Sequence, residues 1–327
     1  MAAALKSNLI RSRTRSRSWV EALVQSLSAQ DFLVGTYLSL LLLIVLGGTG
    51  PNPLEGERAV ELQIALFVAG LCVTRGGLLR GLAGAMAYRV LGPVIMFMSY
   101  FQLRIVLPAV SSAAYDLDIF AFDIRVFGVE PSLAWDRFVT PAATEWFSFF
   151  YLGYFVLLAT YLSAMVLLCR DQRRLASFGL GVFMLFSAGQ LLYTVVPGFG
   201  PYASLAERFT NPLAGPFFWP LVERTVNAAG ALKDIFPSLH TAVPTYFALF
   251  TFRHRKSGAA YRLLWPIVTL IASQIVTATM YLRWHYLIDV VAGLMLAAFV
   301  DVVSHRVGRW EVARRERLGL PPVFEAL

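Results

Sequence analysis

The sequence predicts an all-α fold, a polytopic bundle of about eight transmembrane helices. Three observations carry that expectation. Of the 327 residues, 57% are hydrophobic and 15% charged, against about 25% charged in soluble domains. The apolar residues gather in runs of roughly 17–25, long enough to cross a bilayer. Twenty of the 28 Lys and Arg fall in alternate connections between those runs, the asymmetry of the positive-inside rule. Both termini are therefore expected in the cytoplasm. The net charge of +8 follows from topology, so its expected partner is anionic lipid headgroups and not nucleic acid.

A basic segment, 1–31, opens the chain with Lys6, Arg11, Arg13, Arg15 and Arg17. No small-residue cleavage site follows a short apolar stretch, so it is not read as a removed signal peptide. A membrane-embedded domain, 32–304, holds spans near 32–49, 59–74, 90–108, 146–168, 175–196, 237–252, 263–282 and 285–304, and a basic tail, 305–327, closes the chain. The first two spans carry few polar groups and are flanked by GGTGPNP and RGGLLRGLAG, which points to a peripheral packing role. The connection 109–145 mixes Asp116, Asp118, Asp123, Glu130 and Asp136 with many aromatic and branched residues, as suits short helices in the headgroup layer. The connection 197–236 opens with PGFGPY, a turn string that ends the fifth span. It leads into LKDIFPSLH, where Pro237 and Ser238 are helix-start residues. Cys72 and Cys169 fit no metal spacing and are expected to pack as small hydrophobes.

The chemistry concentrates in the histidines. His254 and His305 lie in basic clusters, FRHRK and SHRVGR, and are expected to be solvated. His285 and Asp289 stand four apart at the start of the last apolar run. On a helix that spacing shares one face, so the carboxylate can reach the imidazole. Topology puts His240 at the same, non-cytoplasmic end. Two imidazoles and a carboxylate meeting there suit phosphoryl transfer: His285 attacks phosphorus, Asp289 fixes its tautomer, and His240 works as acid and base. The anion needs donors. The amides at the helix start beside Ser238 are candidates, with Arg283, Lys233, Arg208 and Tyr202 as further clamps. Arg104, inside a span, is read as snorkelling to the interface.

FPSLHTA, followed by ATMYLRWHYLIDVVAG, resembles the type 2 phosphatidic acid phosphatase superfamily. More narrowly it resembles the branch containing fungal inositol phosphorylceramide synthase, with sphingomyelin synthase a more distant relative. The superfamily has PSGH where this chain has PSLH at 237–240, and Ser-Arg where it has Ala278 and Thr279. The missing arginine and the PGFGP at 197–201 agree with the narrower branch. The resemblance covers roughly 90–304. It implies a six-helix catalytic core, no metal or other cofactor, and a His240–His285–Asp289 triad on the periplasmic or lumenal side of a bacterial inner membrane or eukaryotic secretory membrane. Arg283 has no family counterpart.

The expected function is transfer of a phosphorylated headgroup from a phospholipid donor to a lipid-alcohol acceptor such as ceramide. The alternative is hydrolysis of a lipid phosphate or diphosphate. A transporter is the rival from another class, but transporters carry polar sites at mid-membrane, and here only Gln190 and Gln274 stand out in the span centres.

Overall fold

The computed structural model describes residues 19–325 and 327; Lys6, Arg11, Arg13, Arg15 and Arg17 lie outside them. Among these described residues thirteen α-helices follow in order: α1 Trp19–Ser26, α2 Ala29–Leu46, α3 Pro53–Thr74, α4 Gly81–Val110, α5 Asp116–Phe127, α6 Pro131–Ala134, α7 Pro141–Leu168, α8 Gln172–Val195, α9 Pro201–Ser204, α10 Phe218–Ala229, α11 Leu239–Arg253, α12 Ala259–Tyr281 and α13 Leu287–Leu318. There is no strand among the described residues. The chain is a polytopic helical bundle.

Among the described residues, six helices are long and apolar enough to cross a membrane: α2, α4, α7, α8, α12 and α13. The two other expected spans are helices of a different kind. In α3, 22 residues long, Glu55, Glu57, Arg58 and Glu61 dilute the apolar character of the first turns. In α11, 15 residues fall short of the roughly 20 that a bilayer needs. The last helix also outruns its expected end. Residues 305–318 continue α13 until Gly319, whose φ of 61° closes it, as a left-handed C-cap does.

Helix α8 is the axle. In its most apolar stretch 67% of residues are buried, against 22–39% in the other five. Small residues let neighbours approach it, as membrane helices do where there is no hydrophobic force between them. Gly181 leaves room for the Tyr246 ring of α11. A methyl group on Gly308 of α13 would lie 2.7 Å from the Ser177 hydroxyl of α8. Gln190 accepts from the hydroxyls of Tyr37 and Ser99, each at 2.6 Å, and Gln274 accepts from Trp146 Nε1 at 3.0 Å. Both polar residues therefore serve as helix–helix glue.

The connection 109–145 folds into α5, α6 and a turn at Asp136–Phe138. Its carboxylates hold the segments that build the site. Asp116 accepts from Phe199 N at 3.0 Å and Gly200 N at 2.8 Å. Asp123 accepts from Leu287 N at 2.7 Å and Ile288 N at 3.1 Å, the open amides at the start of α13.

Candidate active site

Two helix starts meet at the site. Ser238 caps α11, its hydroxyl accepting from Thr241 N at 3.2 Å. Its own amide donates to the Asp289 carbonyl at 3.0 Å, which ties α11 to α13. Asp289 is the third residue of α13, and its Oδ2 accepts from Tyr286 N at 2.9 Å. This is the carboxylate half of a capping box.

His285 precedes α13 and belongs to the connection Leu282–Tyr286. The structure thus differs from the expectation that His285 and Asp289 share a helix face. The connection folds back because Trp284 N and His285 N both donate to the Thr279 carbonyl, at 2.9 and 3.1 Å, while Arg283 takes φ 66°. His285 Nδ1 then stands 3.5 Å from Asp289 Oδ2, close but longer than a hydrogen bond. Burial pushes the His285 imidazolium down, against the Asp234 carboxylate and the Ile235 carbonyl, which favour it. A neutral ring is the form that can act as a nucleophile.

His240, the second residue of α11, lies on the same pocket with its ring centroid 6.3 Å from that of His285. Tyr151 stacks on it at 4.6 Å and 16°, and Tyr154 packs at 4.2 Å. A pocket of about 60 Å³ is bordered by His240, His285, Tyr100, Tyr151, Tyr202, Trp284 and Asp234, and no lysine or arginine lines it. Four buried polar atoms here make no hydrogen bond among the described residues: His240 Nε2, His285 Nδ1, Asp289 Oδ1 and Trp284 Nε1. Orphaned buried polar groups are costly, and three of the four belong to residues that line this pocket, His240, His285 and Trp284.

The expected clamps divide. Tyr202 borders the pocket, and the capped start of α11 at Ser238 lies beside it. Arg283 does not reach it: its Nη2 donates to Asp136 Oδ1 at 2.8 Å and to the Asn211 carbonyl, and its guanidinium lies over Phe209 at 3.8 Å. Lys233 Nζ donates to the Ser112 and Ala113 carbonyls at 2.8 and 2.9 Å. Arg208 lies over Phe120 at 4.8 Å, and Arg104 is exposed. Arg283 and Lys233 thus hold loops, their charges taken up by backbone carbonyls and, for Arg283, by a carboxylate. His254 departs from the solvated reading. It is 9% exposed, caps α11 at the end away from His240, and its Nδ1 meets the Phe250 carbonyl at 2.9 Å. Cys72 and Cys169 are free and half-buried.

Sequence reasoning missed Asp234 and Trp284. Asp234 is half-buried in the pocket wall, with the Tyr100 hydroxyl approaching it. Burial raises its carboxyl, and His285 and Tyr100 oppose the rise. The only available signal was its place in LKDIFPSLH, six residues before His240; Trp284 simply adjoins His285. Chemically, the pocket offers two imidazoles, a carboxylate behind one of them, and a ring of neutral phenol and indole donors.

Comparison with known proteins gives no significant match to a curated protein or to a solved structure. The chain does match the PAP2 superfamily over residues 118–302, more than half of its length. That stretch runs from α5 into α13 and includes His240, His285 and Asp289. On that match the chain belongs to the PAP2 superfamily.

Proposed function

We propose that the protein moves a phosphorylated headgroup from a phospholipid donor to a lipid-alcohol acceptor through a phosphohistidine at His285. Superfamily members are generally phosphatases or phosphotransferases, and both chemistries begin alike. A nitrogen of His285 bonds to phosphorus as the bond to the lipid alkoxide breaks, and His240 gives that oxygen a proton. Asp289 orients the His285 ring and stabilises the charge that develops on it. Tyr202 and the His240 amide, in the first turn of the helix that Ser238 caps, receive the phosphoryl oxygens; Arg283 and Lys233 act at one remove, by holding the loops. The acceptor hydroxyl then returns a proton to His240 and displaces the histidine.

The observation that carries this reading is the two imidazoles on one small pocket, 6.3 Å apart between ring centres and each with one nitrogen that makes no hydrogen bond among the described residues. Transfer is favoured over hydrolysis by the lack of any cation in the pocket lining. A phosphate monoester carries about −1.5 to −2 at neutral pH; beside Asp234 and with neutral donors only, it is poorly matched. A phosphodiester carries a single charge and suits those donors. The basic bias of the alternate connections supports a site on the periplasmic or lumenal side, with both termini cytoplasmic.

The test incubates purified protein with headgroup-labelled phospholipid, with and without ceramide, and reads products by mass spectrometry. A labelled ceramide conjugate is expected; water-soluble phosphorylated headgroup regardless of acceptor would instead support hydrolysis. His285→Ala and Asp289→Ala should abolish turnover while the protein still purifies as a folded species. Near-wild-type turnover in either variant refutes the nucleophile assignment.

A further inference from the structure

Two acids of the connection 109–145 touch each other below the surface. Asp123 of α5 is fully buried, and Glu130, just before α6, is 2% exposed. Gly128 brings them together. It closes α5 at φ 72°, a left-handed turn that glycine makes without steric penalty. The two carboxyl groups then lie within hydrogen-bonding reach of each other. Three of their four oxygens have donors. Asp123 Oδ2 accepts from Leu287 N and Oδ1 from Ile288 N, at the start of α13. Glu130 Oε1 accepts from Ser132 N at 3.0 Å and Ser132 Oγ at 2.7 Å. Glu130 Oε2 is buried and has no donor among the described residues.

We propose that Asp123 and Glu130 hold one proton between them, and that this shared proton positions the start of α13 and with it Asp289 against His285. The part that concerns turnover rests on the phosphohistidine reading above. The proton belongs on Glu130 Oε2, the oxygen without a donor. As a hydroxyl it donates to Asp123, which keeps its charge for the two amides. One negative charge suits those amides and the positive end of the α13 dipole. Two carboxylates in contact and out of water are a different matter, because each disfavours ionisation of the other. Burial pushes the Glu130 carboxyl up to about 7 against the hydrogen bonds from Ser132, and the Asp123 charge adds to the rise. Burial raises Asp123 as well, but the Leu287 and Ile288 amides and Glu130 oppose that rise.

When Glu130 releases that proton to water, two like charges stand in contact, and their repulsion draws Asp123 off the Leu287 and Ile288 amides. The first turn of α13 holds Asp289 Oδ2 at 3.5 Å from His285 Nδ1. The Asp289 carbonyl also holds Ser238 N, two residues before His240. A shift of this turn therefore reaches both imidazoles, and small misplacements at a reacting centre slow it steeply. The charges around the pair do not replace the proton. Asp116 is taken up by Phe199 N, Gly200 N and the Tyr286 hydroxyl, and Asp289 is a further acid on α13. Asp118 and Arg125 of α5 and Glu207 after α9 are exposed. Arg208 lies over Phe120, and Arg283 is paired with Asp136.

The test compares wild type with Glu130→Gln, purified full-length in detergent, in two pH series. The glutamine amide donates to Asp123 at every pH, and its oxygen still accepts from Ser132. Consumption of labelled phospholipid is the first readout. Wild-type kcat should fall about tenfold or more from pH 6.5 to pH 8.5, as loss of one proton near neutrality gives, with KM little changed. Glu130→Gln should stay within about twofold over that range. His285 is neutral throughout it, since burial holds the imidazolium down. Melting is the second readout. Between 4.5 and about 7 the unfolded chain has lost the Glu130 proton and the folded chain keeps it, so wild-type stability drops as pH rises through that window. Glu130→Gln should lack this part of the drop. Asp123→Asn, whose amide can donate to a charged Glu130, gives the same comparison if the first variant does not fold. An equal alkaline fall of kcat in wild type and variant, or none in wild type, overturns the inference. So does a melting difference with no matching difference in kcat. Melting needs no turnover, so the shared proton and the phosphohistidine can each fail alone.

Discussion

Arg283 shows how a cation two residues from the proposed nucleophile His285 can be structural. Its side chain and that of Asp136 are 9% and 10% exposed. The pair, with the Asn211 carbonyl, clamps the turn whose Arg283 sits at φ 66° and whose next residues carry Trp284 and His285. Removing one partner of a buried pair strands the other charge, which costs about 3 kcal/mol or more. Arg283→Met is therefore expected to lower the melting temperature by several degrees and to slow turnover through a displaced His285. A variant with unchanged melting but weakened donor binding would instead make Arg283 a phosphate clamp. The pH dependence has a definite sign. Burial opposes ionisation of Asp136, but hydrogen bonds from Thr210 and Asn211 and the charge of Arg283 together hold its carboxyl below the ordinary range. A depressed carboxyl stabilises the fold above the unfolded-state value, and the benefit fades as pH falls through the folded-state value. Melting followed from pH 7 down to pH 3 should lose stability at the acid end, and Asp136→Asn should flatten that loss. At this scale the meeting of His240, His285 and Asp289 at one end of the bundle was legible, because imidazoles are rare near apolar runs and their positions could be counted. Asp234 was not, since one acid in an irregular loop has no periodicity to mark it.

The start of α13 is built by another element. Asp123 of α5 accepts from Leu287 N and Ile288 N, while Asp289 accepts from Tyr286 N. Two carboxylates thus satisfy the open end of one helix, each favoured there by the helix dipole. Losing a side-chain cap costs about 1 kcal/mol. The larger consequence is positional, because α13 carries Asp289 toward His285. Asp123→Ala should lower kcat by tenfold or more with KM for the lipid donor little changed. A variant with normal kcat would show that α13 holds its register alone. Apolar runs revealed the helices but not their ends. The expected third span began at 90, whereas α4 begins at Gly81. Arg89 breaks the hydropathy there without breaking the helix. Its guanidinium is buried and donates to the Val166 and Glu325 carbonyls at 2.9 Å, so a charged residue lies inside an element. The capping contact from α5 was hidden for a similar reason: it links positions 164 residues apart, and no local pattern encodes that.

Across the whole molecule, polar networks sit at both ends of the bundle, with the smaller Gln190 and Gln274 contacts between them. One end holds the histidines. At the other, Asp31 accepts from Ser28 N at 2.8 Å and from the Tyr88 hydroxyl at 2.9 Å, and Arg75 stands 3.7 Å away. The segment after α13 straps across this end. Its Val323 and Glu325 carbonyls accept from Arg75 and Arg89. Phe324 exchanges backbone hydrogen bonds with the Gln172 side chain, and its ring packs 5.6 Å from that of Tyr88. Phe324 is only 4% exposed, so it closes a core that joins α4, α8 and α13. Truncating a buried Phe to Ala costs about 3–5 kcal/mol, and Phe324→Ala should lower the melting temperature accordingly. The strap and the histidines lie at opposite ends of helices such as α8, 24 residues long, about 36 Å at 1.5 Å per residue. Sites so far apart with no shared partners behave additively. The folded fraction of Phe324→Ala should therefore turn over lipid at the wild-type rate, measured below its melting point and normalised to folded protein. A drop in that normalised rate would mean that the two ends are coupled through α8 or α13, and that the strap takes part in setting the geometry of the distant pocket.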